Sequence, residues 1–461
     1  MEILAELAIE TGLDLGMSFV DVRIETTRMT SLDVEKGVTM KTLVANHTGA
    51  GIRAFTKGSW AFGHTSDLTA NGLRKAVESL SRVASATAKW VDMDFEIDAP
   101  TFSGKAKYRA RGPINNATIE EKIEVAQSID HQLRQADSRV THTRVRYRDV
   151  WTDRYVANSL QTETHQETGQ ITLIPTCTVK EYANIQKATI AYGLTGGLGD
   201  ISKQALYNLG TKPAKIAVDL LDSVSLKGGV YDVIADPVLN GAMIHEAFGH
   251  ACEAGNHTAG SSVLKGRLNS AIGPKTISIT DDPTREHHIG SYEYDSEGTP
   301  ARKRELVRDG VLTAFLHDLD TAARLEMEPN GAARAASFMH PPIPRMSNTF
   351  MEPGDWELDE LIQDTKDGVL MCDVNYGYAD SSKGQFMFQA PYGYQIQNGE
   401  RTKMVRNASI AGLITDILWK IDGVGNDLSY DVGTCGTQNQ MVLVMSGGPH
   451  VRIRQVPVGG T

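Results

Sequence analysis

The stretch that most constrains this fold is the hexapeptide HEAFGH at residues 245–250. Two imidazoles and a carboxylate so close together can hold a divalent metal and place a general base beside it. In zinc-binding helices of metalloproteases the two histidines stand four residues apart and share one face, whereas His245 and His250 stand five residues apart. On an ideal α-helix that spacing turns the second ring about 140° away from the first. Both rings can serve one metal only if the helix is widened locally, as in a π-bulge.

The surroundings of the hexapeptide predict a helix on a rigid support. Residues 233–235 (Val-Ile-Ala) have the composition of a buried strand. Asp236 is a good helix cap and Pro237 is favoured at the first helical position, so we expect a helix from about Pro237 to near Gly255. Gly249 lies where a distortion of this helix is easiest. The alternative interpretation is that the two histidines are ordinary core or surface residues.

A catalytic zinc site needs a third protein ligand. Glu253 lies three residues after His250 on the same helical face, where it could bind metal or hold a ring N–H. His257 follows at a spacing that does not match the third histidine of metzincins. Cys435 lies in the sequence GTCGT, interpreted as a glycine-flanked loop before a strand at Met441. From the residues alone, Cys435, Glu253 and His257 are equally good candidates for the third ligand.

Composition and charge exclude several classes of function. At 461 residues the chain is long enough for two or three domains. The net charge of −11 without a basic tract argues against nucleic-acid binding. The apolar runs are too short for a membrane span, and the N-terminus lacks the basic region of a secretory signal. The 4 cysteines form no CxxC pair, so we expect reduced thiols and a cytoplasmic protein. Cys252, two residues after His250, would point away from the His250 face of the helix, so we expect it to be a small buried structural residue.

The order of predicted elements indicates an α+β protein with antiparallel sheets. Thr118 opens a capping box for a helix that ends near Gln135. Asn398-Gly399 predicts a tight hairpin. Residues 96–115, rich in Gly, Pro, Lys and Arg, predict a loop. The best domain boundary follows Leu226, between residues 1–226 and residues 227–461.

Several ordered motifs resemble the TldD/PmbA family of metallopeptidases in its TldD-type, metal-bearing form. Besides the hexapeptide they are GAGIR at 49–53, WAFG at 60–63, DDP at 281–283, YDSEGTP at 294–300, PRMSNT at 344–349 and GTCG at 433–436. The resemblance covers nearly the whole chain. It departs from the family pattern at Gly255, where an Asp is usual, and at Thr437, where a Lys is usual.

The resemblance implies a zinc peptidase with His245, His250 and Cys435 as ligands and Glu246 as the catalytic base. It also implies an α/β N-terminal domain (1–226) that serves the substrate chamber and dimerisation. The C-terminal domain (227–461) is then β-rich and carries the metal-bearing helix. The implied substrates are unfolded or extended peptides. The implied assembly is a homodimer, or a heterodimer with a TldE/PmbA-type subunit.

Further candidates surround this core of the site. Glu253, His257 and Arg345 are candidates to hydrogen-bond the metal ligands or to bind substrate. His257, His287, His288, Tyr292 and Arg345 are candidates to stabilise the oxyanion. The acidic residues Glu293, Asp295 and Glu297 could bind a substrate amine or form a solvated loop. Two other functions stay open: a non-catalytic metal-binding or regulatory subunit, and a metal-dependent amidase on small molecules.

Overall fold

The structure, a computed structural model, describes residues 1–91, 93, 95–107 and 117–460. Helices are combined with mostly antiparallel sheets, which confirms the predicted α+β class. Within the described ranges, no helix is both long enough and apolar enough to cross a membrane.

The N-terminal part of the chain forms one sheet with helices on one face. Its strands are β1 (Phe19–Glu35), β2 (Val38–Thr56), β3 (Ser59–Thr65), β4 (Ser103–Lys107), β5 (Val140–Asn158), β6 (Glu163–Glu181), β7 (Asn184–Thr189) and β8 (Tyr192–Thr195). The main order is β3-β2-β1-β5-β6-β4, and β7 and β8 also pair with β6. The helices are α1 (Glu2–Asp14), α2 (Ala70–Thr87), α3 (Ile119–Gln135) and α4 (Lys203–Asp219).

Strand alternation gives this sheet two different faces. In β1, Val20, Val22 and Ile24 point to the same side and join an apolar core with α1 and α2. The intervening Asp21 and Arg23 are also buried, but on the opposite face. Arg23 donates there to the backbone carbonyls of residues 337 and 340, at 2.9 and 2.6 Å. The polar face of the sheet therefore packs against the C-terminal part of the chain.

The C-terminal part holds the remaining strands and helices. The strands are β9 (Val224–Ser225), β10 (Gly229–Ala235), β11 (Ile279–Asp281), β12 (Arg304–Arg308), β13 (Val311–Leu312), β14 (Ala333–Arg334), β15 (Ile343–Pro344), β16 (Asn348–Met351), β17 (Asp367–Cys372), β18 (Tyr376–Asp380), β19 (Gln385–Gln397), β20 (Glu400–Leu413), β21 (Ile421–Val424), β22 (Ser429–Thr437), β23 (Gln440–Gly448) and β24 (Val451–Gly459). The helices are α5 (Pro237–Ala242), α6 (Ala254–Thr258), α7 (Leu319–Arg324), α8 (Leu358–Gln363) and α9 (Ile414–Ile417).

Two larger sheets enclose the main core of this part. One has the order β18-β19-β17-β10-β24-β20-β9, and because β19 also pairs with β20, its central strands close into a ring. The other has the order β13-β12-β11-β16-β23-β22. Apolar residues of both sheets share one core with α5 and the chain that follows it, including Val233, Leu239, Phe248 and Val442. The hexapeptide thus lies inside the core, between two sheets.

Most local predictions from sequence hold. The Thr118 capping box is formed and its helix ends at Gln135, and Asn398 and Gly399 make the β19–β20 turn with positive φ values of 52° and 79°. The loop prediction for 96–115 is wrong for Ser103–Lys107, which pairs in parallel with β6; residues 108–116 lie outside the described residues. The boundary after Leu226 stays a prediction.

Candidate metal centre

The helix that carries the two histidines changes its winding at the hexapeptide. It begins as predicted, with Pro237 in the first turn and the Asp236 carboxylate accepting the Leu239 N–H at 2.8 Å. It is α-helical over Pro237–Ala242, π-helical over Met243–Phe248 and 3₁₀-helical over Gly249–Cys252. The ring centroids of the two histidines of the hexapeptide are consequently 5.3 Å apart. The widened turn that the five-residue spacing requires is confirmed.

Two glycines let neighbouring groups approach this helix closely. A Cβ on Gly249 would lie 2.0 Å from the sulfur of the buried Met346, so a side chain at this position would displace Met346. A Cβ on Gly241 would lie 2.6 Å from the backbone nitrogen of Gly447, because the helix rests directly on β23. Both contacts fix the distance between the histidine-bearing helix and the β22–β23 sheet.

Cys435 reaches the two histidines from the β22–β23 hairpin. One nitrogen each of His245 and His250 and the sulfur of Cys435 all lie within 4.8 Å of one another. The Cys435 sulfur is 3.4 Å from His250 Nε2. The predicted loop around Cys435 is wrong, because Cys435 pairs with Val442 inside β22. The turn comes later, at positions 438 and 439, which both have positive φ.

The electrostatics of the three side chains favour a thiolate. Burial opposes the charged form, but the adjacent His245 and His250 rings lower the pKa of the Cys435 thiol to about 4. Burial also opposes a charge on His250, yet the Glu253 carboxylate and the Cys435 sulfur raise the pKa of that ring well above its usual value. A thiolate next to two imidazoles is a borderline-soft donor set of the kind that zinc prefers.

The surroundings of His245 fit a bound cation. Both ring nitrogens of His245 are buried, and within the described residues no nitrogen or oxygen atom hydrogen-bonds them; the Cys435 sulfur lies beside the ring. Buried polar atoms are normally satisfied, so each exception needs an explanation. A metal ligated by one of these nitrogens would supply it. The donor set and this unpaired ring together fit a zinc ion.

Two glutamates stand on different sides of the His250 ring. Glu246 Oε2 is 3.7 Å from His250 Nε2, the nitrogen that faces Cys435, and the Glu246 side chain is 45 % exposed. Glu253 is almost fully buried and its Oε2 lies 3.0 Å from His250 Nδ1. Glu246 can therefore reach a solvent molecule beside the three donors, while Glu253 can hold the other ring nitrogen.

Arg345 lies behind this arrangement. Its side chain is fully buried, and Nη2 donates to the backbone carbonyl of Cys435 at 2.6 Å. Its Nε is 3.7 Å from Glu253 Oε1. Arg345 thus contacts both Cys435 and the carboxylate that holds His250. Sequence reasoning named Arg345 only as one of several candidates, because the contact joins residues that are far apart in the chain.

Comparison with known proteins assigns the chain to a family. Three sequence models of PmbA/TldA metallopeptidases match it: domain 1 at residues 20–84, the central domain at 112–221 and the C-terminal domain at 228–460. The chain belongs to the PmbA/TldD metallopeptidase family. The resemblance predicted from the motifs is confirmed.

Family relatives carry names that agree with this assignment. A protein of Methanothermobacter thermautotrophicus named "Metalloprotease" is 35% identical over 445 residues, which cover 96% of each chain. A "Zinc metalloprotease TldD homolog" of Saccharolobus solfataricus is 28% identical over 98% of this chain and 99% of its own. The crystal structure of TldE from Thermococcus kodakarensis has the same fold, with a TM-score of 0.80, 16% identity and coverage of 99% and 100%.

The other candidates in this PmbA/TldD chain lie elsewhere or are already engaged. His257 packs against Phe315 with ring centroids 4.8 Å apart, and burial lowers its pKa. The Tyr292 hydroxyl donates to the Gly331 carbonyl at 2.7 Å. The backbone carbonyls of His287 and His288 accept hydrogen bonds from Thr195 of the N-terminal part. Cys252 is the buried structural residue that the sequence predicted, and burial raises its pKa.

The acidic segment is not a solvated loop. Asp295 and Glu297 are buried, and only Glu293 is exposed. Asp295 accepts the backbone N–H groups of residues 297, 299 and 333. Glu297 forms an ion pair with Arg53 of the N-terminal sheet at 2.7 Å. Asp295 thus fixes the conformation of its own segment, and Glu297 links that segment to the N-terminal sheet. The sequence did not predict the link because Arg53 is distant from Glu297 in the chain.

Proposed function

We propose that this protein is a zinc-dependent peptidase that hydrolyses peptide bonds of unfolded or extended peptides. The observation that carries the proposal is the convergence of His245, His250 and Cys435 within 4.8 Å, beside the partly exposed Glu246. The family assignment supports the coarser statement that the chain is a metallopeptidase. The zinc ligands and the base are our assignment.

Five side chains contribute to the proposed mechanism. A zinc ion held by His245, His250 and Cys435 would supply Lewis acidity, which polarises the scissile carbonyl and activates a water. Glu246 takes the proton of that water and passes it to the leaving amine. His250 presents Nε2 to the site, because Glu253 holds its Nδ1 at 3.0 Å and so fixes the tautomer and the ring orientation.

The position of Cys435 supports an extended substrate. Cys435 lies in β22, the terminal strand of its sheet in the described part of the chain. The unpaired edge of a terminal strand can bind a peptide backbone by hydrogen bonds that do not depend on side chains. A peptide that adds to β22 comes next to the proposed metal ligand. Substrate recognition of this kind favours unfolded chains over folded ones.

We also propose that the protein pairs with itself or with a TldE/PmbA-type subunit. The fold that it shares with the Thermococcus TldE supports this pairing. A cytoplasmic location is a further proposal, supported by four cysteines that are all free. Chromatography with light scattering, on the protein alone and mixed with a TldE-type subunit, tests the pairing.

One experiment tests the proposed activity. Purified protein is loaded with one equivalent of zinc and incubated with a mixture of unstructured peptides, and products are identified by mass spectrometry. We expect cleavage that stops when a chelator removes the zinc and resumes when zinc is restored. A zinc-loaded protein that leaves every peptide intact, alone and with a TldE-type subunit, would support the non-catalytic alternative. Cleavage of small amides but no peptides would support an amidase.

A further inference from the structure

We propose that Arg345 is a positioning residue that ties the helix bearing His250 to the strand bearing Cys435, and so sets the spacing of the two ligands. This inference rests on the metal centre proposed above and assigns a role to a residue outside the ligand set. Arg345 belongs to neither ligand-bearing element. It sits in the short segment between β15 and β16 and reaches both of them.

The contacts of Arg345 form a closed path through the site. Its Nη2 donates to the Cys435 carbonyl at 2.6 Å, and its Nε faces Glu253 Oε1 at 3.7 Å. The other oxygen of Glu253 is 3.0 Å from His250 Nδ1. His250 Nε2 in turn lies 3.4 Å from the Cys435 sulfur. A shift of the guanidinium would therefore move either the strand carbonyl or the carboxylate that orients the ring.

The backbone around Arg345 is fixed well enough to hold that position. Its own N–H donates to the Ala332 carbonyl at 2.9 Å. The Met346 carbonyl accepts a hydrogen bond from Arg334 at 2.6 Å, and the Ser347 N–H donates to Asp281 at 2.8 Å. The Met346 side chain is the group that presses against Gly249 of the hexapeptide. The whole segment therefore serves as a rigid spacer against the ligand helix.

The charge of Arg345 is needed as well as its shape. Glu253 is 3% exposed, and a buried carboxylate without a compensating cation is strongly unfavourable. Arg345 Nε and Nη1 and Glu253 Oε1 make no hydrogen bonds within the described residues, so the pair is held by charge. A planar guanidinium can face a carboxylate and a carbonyl at once, whereas a lysine ammonium at the end of a flexible stem is a single point charge.

The test compares Arg345→Met and Arg345→Lys with the wild-type chain. Arg452→Met is the matched control, because Arg452 is another arginine with a 2 % exposed side chain. It lies in β24, in a different sheet from Cys435, and pairs with Asp364 and Asp422. Three quantities are measured: the zinc Kd by competition with a chromophoric chelator, the thiolate-to-cobalt absorption of the Co²⁺-loaded protein, and the unfolding midpoint of the metal-free protein. Loss of a residue that orients a ligand typically weakens metal binding by about 10- to 100-fold.

We expect Arg345→Met to weaken zinc binding by about 10- to 100-fold and to alter the cobalt spectrum. We expect a smaller loss of zinc affinity for Arg345→Lys. Arg452→Met should lower the unfolding midpoint and leave the zinc Kd within about twofold of wild type. Introduced into Glu253→Gln, Arg345→Met should weaken zinc binding by a smaller factor than it does in the wild-type chain. The two effects are not additive because both residues act on His250 through the same contacts. If Arg345→Met does not fold, Arg345→Lys and Glu253→Gln are measured instead.

An unchanged zinc Kd and cobalt spectrum in the folded Arg345 variants would overturn the inference. An equal loss of zinc affinity in Arg452→Met would overturn it too, because the effect would then reflect general stability. A wild-type protein that binds no zinc would instead refute the proposed function, so the two failures are distinguishable.

Discussion

His245 and His250 stand five residues apart, yet their ring centroids are only 5.3 Å apart. An α-helix would turn the two rings about 140° away from each other. The helix is instead widened by a π-helical turn over Met243–Phe248, just before His250. π-Helical turns are rare in proteins, and those that occur are often found at functional sites. The histidine pair is thus held by surrounding structure rather than by helix propensity.

We predict that Glu246→Gln abolishes peptide cleavage and leaves zinc bound. The amide cannot accept the proton of the attacking water, and loss of a general base lowers the rate by about 10²- to 10⁴-fold. The measurement is kcat on an unstructured peptide together with zinc content. Glu286→Gln removes the same charge from an exposed position and should retain wild-type kcat. Wild-type cleavage by Glu246→Gln would show that Glu246 is not the base.

We predict that Cys435→Ser loses zinc. A hydroxyl is a much weaker zinc ligand than the thiolate that the two imidazoles stabilise. Zinc content after dialysis measures the effect. Cys252→Ala is the control, because it removes another buried thiol near the site and should keep one zinc per chain. A fully occupied site in Cys435→Ser would remove Cys435 from the ligand set.

We predict that Gly249→Ala destabilises the protein by about 1–3 kcal/mol and weakens zinc binding. The added methyl would meet the Met346 sulfur at 2.0 Å in a packed core. The change is measured by urea unfolding of the metal-free protein and by the zinc Kd. Gly255→Ala is the matched control, since its methyl would meet only Pro344 Cδ, at 3.9 Å. Equal unfolding curves for the two variants would contradict the close contact at Gly249.

We predict that Asp373→Asn stabilises the protein at pH 8 and has little effect near pH 4. Burial, with Asp236 and Asp431 nearby, raises the pKa of Asp373 to about 7, whereas an unfolded Asp has a pKa near 3.9. The folded chain therefore binds more protons between about pH 4 and pH 7, and stability falls as the pH rises through that window. Asparagine lacks the charge and tolerates the positive φ of 66° at this position.

The expected gain for Asp373→Asn is about 1–2 kcal/mol at pH 8, which allows for partial exposure of the side chain. Urea unfolding at pH 4 and pH 8 measures it. Asp367→Asn, an exposed change at the start of β17, the strand that ends just before Asp373, should shift neither curve. The same stabilisation by Asp373→Asn at both pH values would show that charge is not its cause.

The predictions from sequence succeeded where the cause is local. The Asp236 cap, the Thr118 capping box and the Asn398-Gly399 turn depend on residues within a few positions of one another, and all three are formed. The strand Ser103–Lys107 was predicted as a loop, because it lies in a stretch rich in Gly, Pro, Lys and Arg. Only pairing with β6, which is distant in sequence, makes it a strand.

The sequence by itself determined the family, the helix start and the need for a widened turn, since each follows from residue order and helical geometry. The tertiary structure decided which groups share space. It placed Cys435 beside His250, although 185 residues separate them, and it put Glu253 behind the ring. It also buried Glu297 against Arg53. These outcomes depend on how sheets pack, and contacts between distant segments leave no periodic signal in the chain.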